Sequence, residues 1–269
     1  MAINIGGSSI NSIYVGDTKV KSIYLGDNLV YSNEPAIIDD SYNYFVFDTS
    51  LFPEGSNKTI VFQAYDMVDE TDNLTDWGDG IIDSSQKHTY TKDGIYTVKT
   101  KRLINRMSGG SGDSNTRKAL IECLNISKNL TNYSYLFSNC KSLRSIGKCD
   151  TTNVTDMSYT FSFTSFESLD LSDWVAPKVS STNNMFYNCK LLVTLNLSSF
   201  ITQTTNTNGM FKYCNALTYL DISNFFMDYT TSNYSGMFTS CNKLSIDNVI
   251  MTNCSSYTQS KIQTLINSK

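Results

Sequence analysis

The chain carries a single histidine, His88, so any acid–base relay or catalytic triad would have to run through that one imidazole. Zinc would then depend mainly on cysteines. There are seven cysteines, but no C-x-x-C pair occurs anywhere. Asp76, Asp79 and Asp83 could collect a calcium ion, since hard cations take carboxylate oxygens. The competing reading is that these aspartates cap tight turns beside Gly78 and Gly80. The glycines at 109, 110 and 112 lack the Lys-Ser/Thr and the strand–helix setting of a phosphate loop. No nucleophile–base pair or paired-carboxylate motif stands out. The residues capable of chemistry therefore predict a chain that is not an enzyme and uses no cofactor. The only metal candidate is calcium at the three aspartates.

What must position these residues is a repeat. An aromatic two-residue signature recurs as Leu136-Phe137, Thr160-Phe161, Met185-Phe186, Met210-Phe211 and Met237-Phe238. The Phe-to-Phe steps are 24, 25, 25 and 27 residues, a period that predicts a solenoid of stacked coils with one continuous core. After Phe186 come Cys189, Leu192, Leu195 and Leu197; after Phe211 come Cys214, Leu217, Leu220 and Ile222. The coil before reads Phe161, Phe163, Phe166, Leu169 and Leu171, one residue shorter and with Phe163 in the cysteine position. Phe137, Cys140, Leu143 and Ile146 begin the series, and Ile121, Leu124 and Ile126 suggest a partial leading coil. The closing alternation predicts a short strand, because side chains two apart share a face. Asn- and Thr-rich stretches after each strand suit turns. The pattern follows the grammar of a leucine-rich repeat.

Cys140, Cys189, Cys214 and Cys241 recur at one repeat position, as a small buried hydrophobe would. Coils stacked about 4.7–4.9 Å apart would permit a Cys189–Cys214 bridge, yet the odd cysteine count favours a ladder of free thiols. At the C-terminus, Ile262, Leu265 and Ile266 fall at helical spacing within residues 260–267. A short amphipathic helix there would cover the open end of the repeats.

Two further regions precede the repeats. Ser12-Ile13-Tyr14-Val15-Gly16-Asp17 returns as Ser22-Ile23-Tyr24-Leu25-Gly26-Asp27, strand formers separated by Gly-Asp turn signals, which predicts a small hairpin or meander. Strand candidates at Tyr44 to Phe47, Thr59 to Ala64 and Ile95 to Lys101 predict a β-sandwich-like segment. The expected organisation is an N-terminal β-module at 1–36, a β-sandwich at 42–107, a flexible connection at 108–118 and a repeat solenoid with its cap at 119–269. The fold class is mainly β.

Three resemblances sharpen this. Leu169-Asp170-Leu171-Ser172, Asn153-Val154-Thr155-Asp156-Met157 and Met185-Phe186-Tyr187-Asn188-Cys189 resemble the BspA-like leucine-rich repeats of bacterial surface proteins, over roughly residues 119 to 255. Phe163 in place of a Cys, Pro177 within one turn and the decay after Leu244 depart from that pattern. The resemblance implies surface display and supplies no catalytic residues. Thr75-Asp76-Trp77-Gly78-Asp79-Gly80, with His88-Thr89-Tyr90 and Gly94-Ile95-Tyr96-Thr97-Val98, resembles a PKD-type domain. That implies an immunoglobulin-like sandwich in which His88 has a structural place. The I-Y-x-G-x copies resemble short modules near the N-termini of phage tail and fibre proteins.

Net charge is −4, from 21 basic and 25 acidic residues with no basic cluster, which argues against nucleic-acid binding. No apolar run is long enough to span a membrane. The first residues, Met-Ala-Ile-Asn-Ile-Gly-Gly, do not read as a secretory signal. The expected function is a non-catalytic virion protein (tail, fibre or decoration) that presents its repeats to a host-surface protein or glycan. Its N-terminal module would contact other virion proteins. The alternative is a bacterial cell-surface adhesin. Tyr187, Tyr213 and Tyr219 are the candidate contact residues, because exposed tyrosines combine apolar area with a polar tip.

Overall fold

A computed structural model describes residues 38–65, 73–107, 115–147, 149–201, 206–227 and 233–269, with the backbone of four short strands between residues 14 and 32. The protein is mainly β. It divides into two units, Met1–Asp39 and Asp40–Lys269.

In the first unit β1 (Tyr14–Val15) pairs antiparallel with β2 (Thr18–Lys19), and β3 (Ser22–Leu25) with β4 (Asn28–Ser32). The remainder of the expected module at 1–36 lies outside the described residues.

The second unit opens with β5 (Asn43–Asp48), β6 (Thr59–Val61), β7 (Gln63–Tyr65) and β8 (Thr75–Asp76). There follow β9 (Ile82–Asp83), β10 (Lys87–Thr89), β11 (Ile95–Thr100) and β12 (Leu103–Arg106). A short helix α1 (Asn115–Ala119) leads into β13 (Leu120–Asn125) and β14 (Ser145–Ile146). One six-stranded sheet runs β14-β13-β5-β11-β8-β9, and β10–β6 and β12–β7 form separate antiparallel pairs. Phe45 and Phe47 of β5 and Val98 of β11 are fully buried. The strand expected over 59–64 changes partner at Phe62, whose amide bonds the Gln86 carbonyl (2.9 Å), so β6 and β7 join different strands. Phe62 stacks on the buried Trp77 at 5.5 Å, and the Tyr90 hydroxyl donates to the Trp77 carbonyl at 2.8 Å. Gly78 has φ +79°, and a Cβ there would stand 2.5 Å from the Thr97 carbonyl oxygen, so the Trp-Gly turn lies flat against β11.

β13 is where the two expected regions meet. It pairs antiparallel with β5 and parallel with β14, so the sheet changes from antiparallel to parallel pairing at this strand. The segment expected as a flexible connection at 108–118 falls outside the described residues up to 114. From Asn115 onward it is helical. Phe45 meets Phe137 edge to face at 6.5 Å, which makes the core continuous across that junction.

Beyond β14 the chain repeats itself. β15 (Ser168–Asp170), β16 (Thr194–Asn196), β17 (Tyr219–Asp221) and β18 (Val249–Ile250) form a parallel ladder with Leu169, Leu195, Leu220 and Val249 in register. On the turn side, Phe137 N bonds Thr160 O, Phe161 N bonds Met185 O, Phe186 N bonds Met210 O and Phe211 N bonds Met237 O, all at 2.9–3.0 Å. The five phenylalanines form a buried column, stacked at 5.7, 5.5, 5.8 and 5.3 Å. Asp170, Asn196 and Asp221, the polar residues between the paired apolar positions, each accept the amide two residues on, from Ser172, Ser198 and Ser223. These side chains close the turn after each strand.

The cysteine position corrects one sequence expectation. Phe163 does not occupy it; Thr164 does, buried, with its hydroxyl donating to Phe161 O at 2.8 Å. Cys189, Cys214 and Cys241 each donate their thiol to a carbonyl of the preceding coil, Phe161, Phe186 and Phe211, at 3.0–3.1 Å. All seven cysteines are free and buried, and burial pushes the Cys140 and Cys241 thiols up to about 12. The C-terminal helix α2 (Ser256–Asn267) forms as expected, starting earlier because Ser255 caps it by accepting the Thr258 amide. It buries Ile262 and Ile266.

Because the Phe column runs the length of the repeats, cutting it in the middle should propagate. Phe186→Ala should cost about 3–5 kcal/mol, read as a fall in the denaturant midpoint. An unchanged midpoint would show that the column is not what holds the coils.

Candidate binding surface and cleft

Each Phe-centred turn reverses direction through two left-handed residues, two before and two after the phenylalanine. The first position holds Tyr135, Tyr159, Asn184, Gly209 and Gly236, with φ of 53–63°. The second holds Asn139, Phe163, Asn188, Tyr213 and Ser240, with φ of 60–65°. Glycine and asparagine enter this region at low cost, whereas aromatic residues do not. Tyr135, Tyr159, Phe163 and Tyr213 are thus held in strained backbone where other coils use cheaper residues, and strain of this kind gathers at ligand sites.

These four aromatics, with Tyr187, make two outward rows. In the first, Tyr135 and Tyr159 stack face to face at 4.5 Å (6° between planes) and Asn184 donates its amide to the Tyr159 hydroxyl. In the second, Phe163, Tyr187 and Tyr213 run edge to face across three coils at 5.3 and 5.5 Å, with the Lys212 ammonium 5.2 Å from the Tyr213 ring. The structure therefore brings Tyr187 and Tyr213 together. Tyr219 stands apart on β17, 40% exposed, in register with Thr194 and Ser168 of the strand face. Phe163, which the sequence pattern sent inward, belongs to the Tyr187–Tyr213 row and is 39% exposed.

The three aspartates do not gather around a common point. Asp76 accepts the Gly78 amide at 3.0 Å. Asp79 accepts the Ile81 amide and holds His88 Nε2 at 2.8 Å. Asp83 accepts the Trp77 indole N–H and the Ser85 amide. Among the described residues no cluster of three or more His, Cys, Asp or Glu is placed to hold a metal. His88 is stacked on Trp77 at 5.2 Å and meets Tyr90 edge-on at 4.6 Å, so its surroundings fix the Trp-Gly-Asp-Gly turn.

A site that the sequence does not announce lies where the β7–β12 pair meets the first repeat turn. A cleft of about 330 Å³ is lined by Gln63, Asn105 and Arg106 on one side and Asn132, Ser134 and Tyr135 on the other. β12 bulges between Ile104 and Arg106, so Asn105 has no partner opposite it in the ladder. The Arg106 guanidinium sits over the Tyr135 ring at 5.0 Å. Burial, then the neighbouring Tyr159, pushes the Tyr135 hydroxyl above its ordinary range, so it stays a neutral donor. Tyr135 and Tyr159 share one repeat offset and could have been noticed in the sequence. Arg106 and Asn105 carry no such signal, because a bulge and a tertiary contact place them.

If the aromatic at the second left-handed position serves the surface and not the fold, removing it should relieve strain. Phe163→Asn should raise stability by up to about 1 kcal/mol in denaturant unfolding. A clear loss of stability would mean that the ring holds the coils together.

A family model described as "Mycoplasma protein of unknown function, DUF285" matches residues 106–225, which include four of the five Phe-centred turns. No curated protein and no solved structure matches the chain.

Proposed function

We propose that the chain is a non-catalytic binding and display protein whose repeats form a leucine-rich-repeat solenoid of the BspA-like kind, preceded by a PKD-type sandwich. The observation that carries this reading is the division of labour within each coil. Phe, Cys/Thr and Leu positions are spent on a continuous core, while the left-handed positions vary and present aromatic rings outward. A rigid, regular scaffold with variable exposed rows suits recognition of an extended partner. Uncharged polar and tyrosine-rich surfaces suit glycans and proteins, through aromatic and hydrogen-bond contacts. Tyr187 and Tyr213, with Phe163, are the proposed contacts along the repeats.

Placement in a phage virion, as a tail, fibre or decoration protein used in host attachment, is supported by the duplicated I-Y-x-G-D hairpins of the first unit. Those hairpins would contact other virion proteins. A second reading is a surface adhesin of a bacterial cell, with which a family model described for a Mycoplasma protein of unknown function agrees only as to a bacterial source.

Location separates the two. Mass spectrometry of purified virions should find the chain at a fixed copy number per particle. Recovery from cell envelopes alone, with none in particles, would overturn the virion placement and leave the adhesin.

A further inference from the structure

We infer that the cleft between the β7–β12 pair and the first repeat turn binds a carboxylated sugar residue, with Arg106 gripping the carboxylate. This rests on the binding-protein reading above and names a ligand class and a subsite for it.

Several independent features converge on this cleft. Its volume of about 330 Å³ falls at the small end of ligand sites, suited to one monosaccharide unit. The Arg106 guanidinium has no carboxylate partner among the described residues; it lies against the Tyr135 ring, which leaves its N–H edge for a planar anion. Asn105, set at the bulge, has a buried side-chain oxygen without a hydrogen-bond partner. Buried acceptors of this kind are rare, and a turn of the Asn105 amide into the cleft it lines would let a ligand hydroxyl supply the missing donor. Gln63, Asn132 and Ser134 add amide and hydroxyl groups to the wall and Leu103 and Leu130 add apolar surface, a mixture that suits the hydroxyl edges and C–H faces of a sugar ring. Tyr135 keeps a side chain at a left-handed position where the last two coils use Gly209 and Gly236. Asp156, whose charge reaches the Tyr135 hydroxyl, has its Oδ1 accepting the Ser158 amide and is not part of the wall.

Isothermal titration of the full chain tests this with galacturonate and N-acetylneuraminate as the two acidic probes and galactose as the neutral one. At least one acid should bind and galactose should not. Arg106→Gln should weaken the acid at least tenfold, while Arg106→Lys, which keeps the charge without the fork, should weaken it less. Asn105→Ala gives a second variant, expected to weaken binding several-fold. Near-ultraviolet circular dichroism identifies any variant that has not folded. Equal affinity for galactose, or wild-type affinity in a folded Arg106→Gln, would overturn the inference. So would equal affinity for a carboxylate-bearing dipeptide. If neither acid binds but the chain still attaches to host cells, the cleft assignment fails and the binding function stands. If attachment also fails, the broader reading fails with it.

Discussion

Within five residues each coil must bury a phenylalanine and turn the chain on both sides of it. In all five turns the backbone does this by placing left-handed residues before and after the ring. That geometry aims the intervening amides and carbonyls along the stack, where they bond the next coil, as Phe137, Phe161, Phe186 and Phe211 all do. A buried backbone group must find a partner, so one coil is incomplete without its neighbour. The Phe column, the Cys and Thr hydrogen bonds and the parallel strands follow from that requirement. So does the place of α2, which packs Ile262 and Ile266 into the core after the last strand.

The same constraint links fold to recognition. Left-handed positions are turned outward, and their identity is free only within what the backbone tolerates. Where the chain places asparagine or glycine, the turn is relaxed. Where it places Tyr135, Tyr159, Phe163 or Tyr213, it accepts strain and gains a ring on the surface. Three of these four rings border the cleft or the Tyr187 row, so strain and candidate contact surface coincide.

Much of the repeat was legible from residue spacing alone. The period, the buried phenylalanines, the free thiols, the strand alternation and the C-terminal helix all follow from local pattern. The short coil departs from its apolar pattern: Thr164 fills the cysteine place by hydrogen bonding, which hydrophobicity does not register. The pairing of β13 with both β5 and β14 was not legible, since strand partners far apart in sequence are set by tertiary packing. The cleft was hidden for the same reason. It needs a bulge at Asn105 and the approach of Arg106 to Tyr135, and neither leaves a periodic mark.

Since β13 and the Phe45–Phe137 contact tie the sheet to the coils, residues 40–269 should behave as one cooperative body that holds the cleft's two walls in fixed relation. Native-state amide hydrogen exchange measures this directly. The account predicts that the slowest amides of β5, β13 and the first three Phe-centred turns open with one common free energy. If the β5 and β13 amides exchanged fully while those of Phe161 and Phe186 stayed protected, sheet and coils would be separate folding units, contradicting the single core.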